Sequence, residues 1–227
     1  HTKLAMLVTG ILVVLSMIFF FAVEHSNSLS SLAFGDKLLA AFSFSSISRT
    51  AGINLSDFTT LSSASLFLTI LLMFIGANPG SCGGGIKTTT AAVIAILGIN
   101  RLLGKEKTMV FGRTIPQETV NKAIYIFIIG VIVIIFSSLL LLLTESGNQP
   151  YTATSSSFLK ILFEVSSAYA TCGLSLGITS ELSSLGRLLI CFVMFVGRLG
   201  PLFLISAVVS SEKDNGVWYS EENIMVG

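Results

Sequence analysis

Ser48–Arg49–Thr50–Ala51–Gly52–Ile53–Asn54 and Tyr169–Ala170–Thr171–Cys172–Gly173–Leu174–Ser175 are two versions of one phrase, each centred on Thr-x-Gly and each followed by a long apolar segment. From Gly52 to Gly173 the offset is 121 residues, and it holds without a gap into the following segment. Leu61–Ser62–Ser63 falls on Leu182–Ser183–Ser184, and Met73–Phe74–Ile75–Gly76 falls on Met194–Phe195–Val196–Gly197. A constant offset of this kind marks an internal duplication. The repeated unit holds a Thr-x-Gly loop between two hydrophobic spans, which is the arrangement of an ion-selectivity filter.

The composition predicts a membrane protein. Hydrophobic residues make up 52% of the chain, charged residues only 11%, and mean hydropathy is +0.87. A water-soluble domain of this length exposes far more charge. Four apolar stretches set the frame: Leu4–Val23, Leu61–Asn100, Ile124–Leu143 and Leu182–Val209. The first and third have the length of one crossing of a hydrocarbon core roughly 30 Å thick. The second would extend roughly 60 Å as one helix, so it must break. Asn78–Pro79–Gly80–Ser81–Cys82–Gly83–Gly84–Gly85 is where a helix fails. Lys37–Ser48 and Ser157–Ala170, just before the two phrases, are too short to span and read as re-entrant pore helices. Leu4–Val23 is long for a signal peptide and lacks a small-residue cleavage site before Glu24.

The expected fold class is therefore all-α, a polytopic membrane protein of repeated span, pore helix, filter loop and span. The expected divisions are one unit over residues 1–104 with a broken second span, a basic linker over 105–120, a second unit over 121–210, and a tail over 211–227. Lys3, Arg101, Lys105, Lys107, Arg113 and Lys122 place those ends in the cytoplasm. The filter loops then open outward. Glu24, Asp36, Asp57, Glu145 and Glu164 lie near them, either raising local cation concentration or standing as ordinary solvated loop charges.

A cation that sheds its water needs oxygen ligands, and backbone carbonyls supply them where an extended chain turns successive peptide planes to the axis. Glycine reaches the required positive φ at little cost. The filter is thus assigned to Thr50, Ala51, Gly52 and Ile53 together with Thr171, Cys172, Gly173 and Leu174, with potassium held by the carbonyls of Thr50, Ala51, Gly52, Thr171, Cys172 and Gly173. Cys172 in the outer mouth would be open to a small thiol reagent. Arg49 is expected to face away from the ion and brace its loop. Cys82, Cys172 and Cys191 show no CxxC spacing and no adjacent histidine, so neither a metal site nor a disulfide is expected. Gly80–x4–Gly85 approaches a phosphate-binding loop, but Lys87 falls one position late and no strand precedes it.

These phrases resemble the Trk/Ktr/HKT superfamily of potassium transporters, most closely its bacterial KtrB-type membrane subunits. The resemblance is carried by Ser48–Asn54, by Met73–Thr90, and by Phe195–Val196–Gly197–Arg198–Leu199–Gly200–Pro201. It implies four membrane–pore–membrane units around one pore, with this chain similar to the third and fourth and the first two units supplied from elsewhere. It also implies a gate formed by the intramembrane loop Gly80, Ser81, Cys82, Gly83, Gly84 and Gly85 with Lys87, and by Arg198 facing the pore below the filter and pairing with carbonyls of that loop.

By the same resemblance the protein sits in the plasma membrane as a multi-pass potassium uptake subunit and is not an enzyme. Potassium is the transported ion, sodium coupling is left open, and there is no organic cofactor. The implied partners are membrane lipids, a second copy of the subunit and a cytosolic ring of nucleotide-binding regulatory subunits, with no nucleic acid. A weakly selective or sodium-permeable transporter of the same build is one alternative. A non-conducting scaffold, using Gly80–x3–Gly84 for close helix packing, is another.

Overall fold

The computed structural model describes residues 2–49, 58–81, 83–105, 108–147 and 151–199. The first unit opens with α1 (Thr2–Glu24), α2 (Phe34–Ile47), a 3-10 turn at Phe58–Thr60 and α3 (Ser63–Phe74), and continues after a break into α4 (Thr88–Leu102). A hairpin of β1 (Met109–Val110) and β2 (Arg113–Thr114) leads to the second unit. There α5 (Gln117–Leu141) ends in a π turn at Leu142–Ser146, followed by α6 (Tyr151–Ala170), a 3-10 turn at Ile178–Ser180 and α7 (Ser184–Leu199). Helix, helix, 3-10 turn and helix thus recur in the same order.

The molecule is mostly helical, as the composition predicted, with three departures. Residues 105–120, expected as a basic linker, contain an antiparallel hairpin that was not foreseen, turned by Phe111 at φ 48° and Gly112 at φ 73°. Two successive left-handed residues are what a tight two-residue hairpin needs. Helix α6 begins at Tyr151 and runs for 20 residues, longer than the expected Ser157–Ala170. The break in the long apolar stretch starts at Ile75, before Asn78. The 12 residues of α3 and 15 of α4 together rise roughly 40 Å.

Helix α1, at 23 residues, and the segment Gln117–Glu145, at 29, are long and apolar enough to cross a membrane. Their outward faces keep Met6, Ile11, Leu15 and Ile18, and Ile132, Ile135 and Phe136, exposed. Such continuous apolar faces suit lipid or covering protein better than water.

Inside, the two units share a core. Phe20 of α1, Phe44 of α2, Phe58 of the 3-10 turn and Phe163 of α6 form a chain of ring contacts with centroids 5.8, 5.6 and 6.1 Å apart. Edge and tilted geometries at these distances favour aromatic pairs beyond simple area burial. The side chains of Cys172, Leu174 and Leu176 insert into the same cluster. The segment that follows α6 is therefore anchored in the core on its alternate residues.

Candidate functional site

The site is built around the C-terminal end of α6. A helix leaves its last carbonyls without internal partners, and here two different devices satisfy them. The amide of Thr171 donates to Ala168 O at 3.0 Å, and that of Cys172 to Ser167 O at 2.9 Å. Those are the paired bonds of a Schellman cap, with Thr171 in the left-handed position at φ 50°. The remaining two carbonyls bond to the glycine-rich loop. Gly84 N donates to Ala170 O at 3.1 Å and Gly85 N to Tyr169 O at 3.2 Å. Gly84 N also reaches the Thr171 hydroxyl, which accepts at 2.8 Å. Residues 86 positions apart in sequence complete one helix terminus.

That docking explains the glycines. A Cβ on Gly84 would lie 2.9 Å from Thr171 Oγ1, 2.9 Å from Tyr169 O and 3.0 Å from Ala170 C. A Cβ on Gly197, in the last turn of α7, would run into the Tyr169 carbonyl, and one on Gly76 into Gly84 O. The loop and the end of α7, which carries Arg198, thus meet on one residue of α6. Arg198 is exposed on this chain.

The loop is held from below as well. The chain leaves α3 at Phe74 and returns at Ile86, whose amide donates to Phe74 O at 3.0 Å. Lys87 Nζ donates to Gly83 O at 2.7 Å and to Ser81 O at 3.3 Å. Asn78 Oδ1 accepts from Thr9 of α1 at 2.9 Å and Thr88 of α4 at 2.5 Å, while Ser81 N donates to Asn78 O at 3.1 Å. Gly80 and Gly85 take positive φ, 86° and 71°.

Above the loop, the chain runs from Thr171 to Leu176. Cys172, Leu174 and Leu176 are buried, while Gly173 is exposed at φ 83°. Of the four expected filter residues in this phrase, Thr171 spends its hydroxyl on the loop. Cys172 departs from expectation: its thiol is 1% exposed and points at Ile47 O, 3.5 Å away, at the end of α2. The sulfur is directed into the core between the units, away from any outer mouth. Thr50, Ala51, Gly52 and Ile53, and Cys82 of the loop, lie outside the described residues. Arg49 turns toward α1, with Nη1 donating to Thr9 O at 3.5 Å.

Residues 2–217 match the family described as TrkH, cation transport protein. The chain belongs to the TrkH family. It is 35% identical, over its full length, to the Ktr system potassium uptake protein B of Vibrio alginolyticus, of which it covers 48%. It is 34% identical to the potassium/sodium uptake protein NtpJ of Enterococcus hirae, covering 50% of that protein. The chain spans about half the length of the curated relatives it matches. In fold it resembles the potassium transporter TrkH from Vibrio parahaemolyticus, with a TM-score of 0.73 and 20% identity over 90% of this chain and 43% of that one.

In this TrkH-family chain the sequence reading had grouped Glu24, Glu145 and Glu164 as acidic residues near loops. None is a free loop charge. Glu24, fully buried at the end of α1, accepts from Ser62 N at 3.0 Å, Ser62 Oγ at 2.7 Å and Ser65 Oγ at 2.5 Å, capping α3, and from Asn27 and Ser28 at 2.9 Å each. Glu145 does the same to α7, accepting from Ser183 N at 3.0 Å and Ser183 Oγ at 2.6 Å. Both pairs obey the 121-residue offset. A carboxylate at a helix N-terminus is favoured by the orphan amides and the dipole. The offset itself was the signal that could have found them.

Proposed function

We propose that the chain forms two of the units around a potassium pore in the plasma membrane, spanning it several times, with potassium as cargo and no covalent chemistry. The observation that carries this reading is the docking of the Gly84 and Gly85 amides onto the last carbonyls of α6, directly beneath the Thr171–Gly173 turn. A glycine-rich backbone loop at membrane depth is tolerated where it is packed in protein or lines a water-filled cavity. Below a turn of alternating φ sign, it occupies the place of a gate under a filter.

In this reading the carbonyls of Thr171, Cys172 and Gly173, with those of Thr50, Ala51 and Gly52, replace the water of a permeating potassium ion. Gly80–Gly85 close the path, Lys87 holds the loop through the Gly83 carbonyl, and Arg198 adds a positive barrier at the same level. The units divide as 1–104 and 121–210, joined by 105–120, with 211–227 as a cytoplasmic tail. The partners are two further units, lipid, a second copy and a cytosolic nucleotide-binding regulator. That the relative NtpJ is named a potassium/sodium uptake protein favours a second reading, in which sodium also permeates or couples.

Potassium uptake by a transport-deficient cell expressing the intact protein, set against its Gly173→Ser variant, tests the assignment. Uptake or potassium-over-sodium preference should fall in the variant, because serine disfavours φ 83°. Unchanged uptake and preference would remove Gly173 from the filter.

A further inference from the structure

Glu164 lies in α6, the helix that the filter reading proposed above sets within the membrane, and is 7% exposed. Its Oε2 accepts from Ser175 Oγ at 2.8 Å and its Oε1 from Thr179 Oγ1. Ser175 in turn contacts Thr179 at 3.0 Å and accepts from Gly177 N at 3.0 Å. Glu164 has no ion-pair partner among the described residues. A buried carboxylate without a counter-charge is costly, and an ionisable group at membrane depth is by default a functional candidate. The gate reading gives it no part.

Its placement supplies one. Ser175 stands two residues beyond Gly173, so the carboxylate fixes the chain just where it leaves the turn. The core fixes that chain on Cys172, Leu174 and Leu176. Glu164 fixes the intervening Ser175, on the side the core does not hold. The position 121 residues earlier is Ser43, whose hydroxyl only bonds Leu39 O of its own helix at 2.8 Å. The two units therefore differ here: one carries a buried carboxylate behind the filter phrase and the other does not.

We propose that Glu164 is a specificity-determining positioning residue for the transported cation: it holds Ser175 so that the Thr171–Gly173 carbonyls keep their spacing, and its negative charge raises the affinity of the filter for a monovalent cation. This rests on the filter reading above. A unit charge near an ion site that is partly shielded, at an effective dielectric of about 20, is worth a factor of about ten or more in affinity.

The test uses the intact protein and three variants. Glu164→Gln keeps the shape and an acceptor but removes the charge. Ser175→Ala keeps the charge and releases the chain. Gly173→Ser reports on the filter itself. Half-saturating potassium for uptake should rise about tenfold in Glu164→Gln with the maximal rate changed less than about twofold. The potassium concentration that raises the thermal unfolding midpoint of the purified protein should rise in parallel. Ser175→Ala should lower potassium-over-sodium preference with a smaller change in half-saturation.

A Glu164→Gln protein that folds, with wild-type half-saturation and wild-type potassium-dependent stabilisation, overturns the role of the charge. A Ser175→Ala protein with wild-type preference overturns the role in spacing, and does so even where Glu164→Gln fails to fold. In both cases an altered Gly173→Ser variant leaves the filter reading standing. An unaltered Gly173→Ser variant defeats the filter reading and this proposal with it.

Discussion

On the gate reading proposed above, replacing Gly84 by alanine should open the potassium path. The substitution strains nothing in the backbone itself, since the positive φ values of this loop belong to Gly80 and Gly85. Its effect is one of space. The new methyl group would lie 2.9 Å from Tyr169 O and Thr171 Oγ1 and 3.0 Å from Ala170 C, two of them backbone atoms at the end of a packed helix. Helix α6 is packed into two buried clusters, one through Phe163 and Ala170 and another through Ile161, Val165, Ala168 and Tyr169, and cannot retreat, so the loop must. Three hydrogen bonds go with it, from Gly84 N to Ala170 O and to Thr171 Oγ1, and from Gly85 N to Tyr169 O. At a net value of about 1 kcal/mol each, the docked loop loses about 3 kcal/mol against any undocked arrangement. At 1.36 kcal/mol per decade, the undocked fraction rises roughly a hundredfold.

The assay is potassium or rubidium flux through the intact protein reconstituted alone in proteoliposomes, where the docked loop should limit the rate. Gly84→Ala should conduct well above wild type, and Gly84→Ser should follow it. The same purified variants should show a modestly lower unfolding midpoint, because the Tyr169 and Ala170 carbonyls must find water instead. A folded Gly84→Ala protein with wild-type flux would refute the idea that docking on α6 is the closed state. A folded variant with abolished flux would reverse its sign.

Two further outcomes follow from the same geometry. Glu24→Ala should cost about 3 kcal/mol of stability, as five donors lose a buried acceptor. Glu145→Ala, which removes an exposed cap on Ser183, should cost about 1 kcal/mol; equal drops in unfolding midpoint would contradict the difference in burial. The Cys172 thiol, 1% exposed and directed at Ile47 O, should resist membrane-impermeant thiol reagents in the folded protein. Inhibition by an external reagent that Cys172→Ser abolishes would contradict its placement in the core.

The helices were legible because apolar length and glycine or proline breaks act locally, and a membrane amplifies both. The start of α6 at Tyr151 was not, because Tyr151–Ser156 is polar and carries no apolar run to extend the helix backward. The hairpin was missed for a different reason: Phe111 precedes Gly112 in the turn, where asparagine or aspartate would have announced it.

At the site itself, the sequence assigned positive φ to the filter glycines, which holds for Gly173, but gave no sign of Thr171. A threonine in the left-handed region is disfavoured on its own. Here two capping bonds from its own helix and a third, from Gly84 to its hydroxyl, hold it there. That third bond joins residues 87 positions apart, and no local pattern encodes it. What does encode it is the comparison of units. The segment after the first phrase breaks at Ile75, while its counterpart, Val196, continues α7 into Gly197. One unit thus sends out the amides that α6 of the other unit lacks at its end. The departure from the repeat and the unsatisfied helix end are two halves of one contact, and only chemistry at the end of α6 makes the pairing necessary.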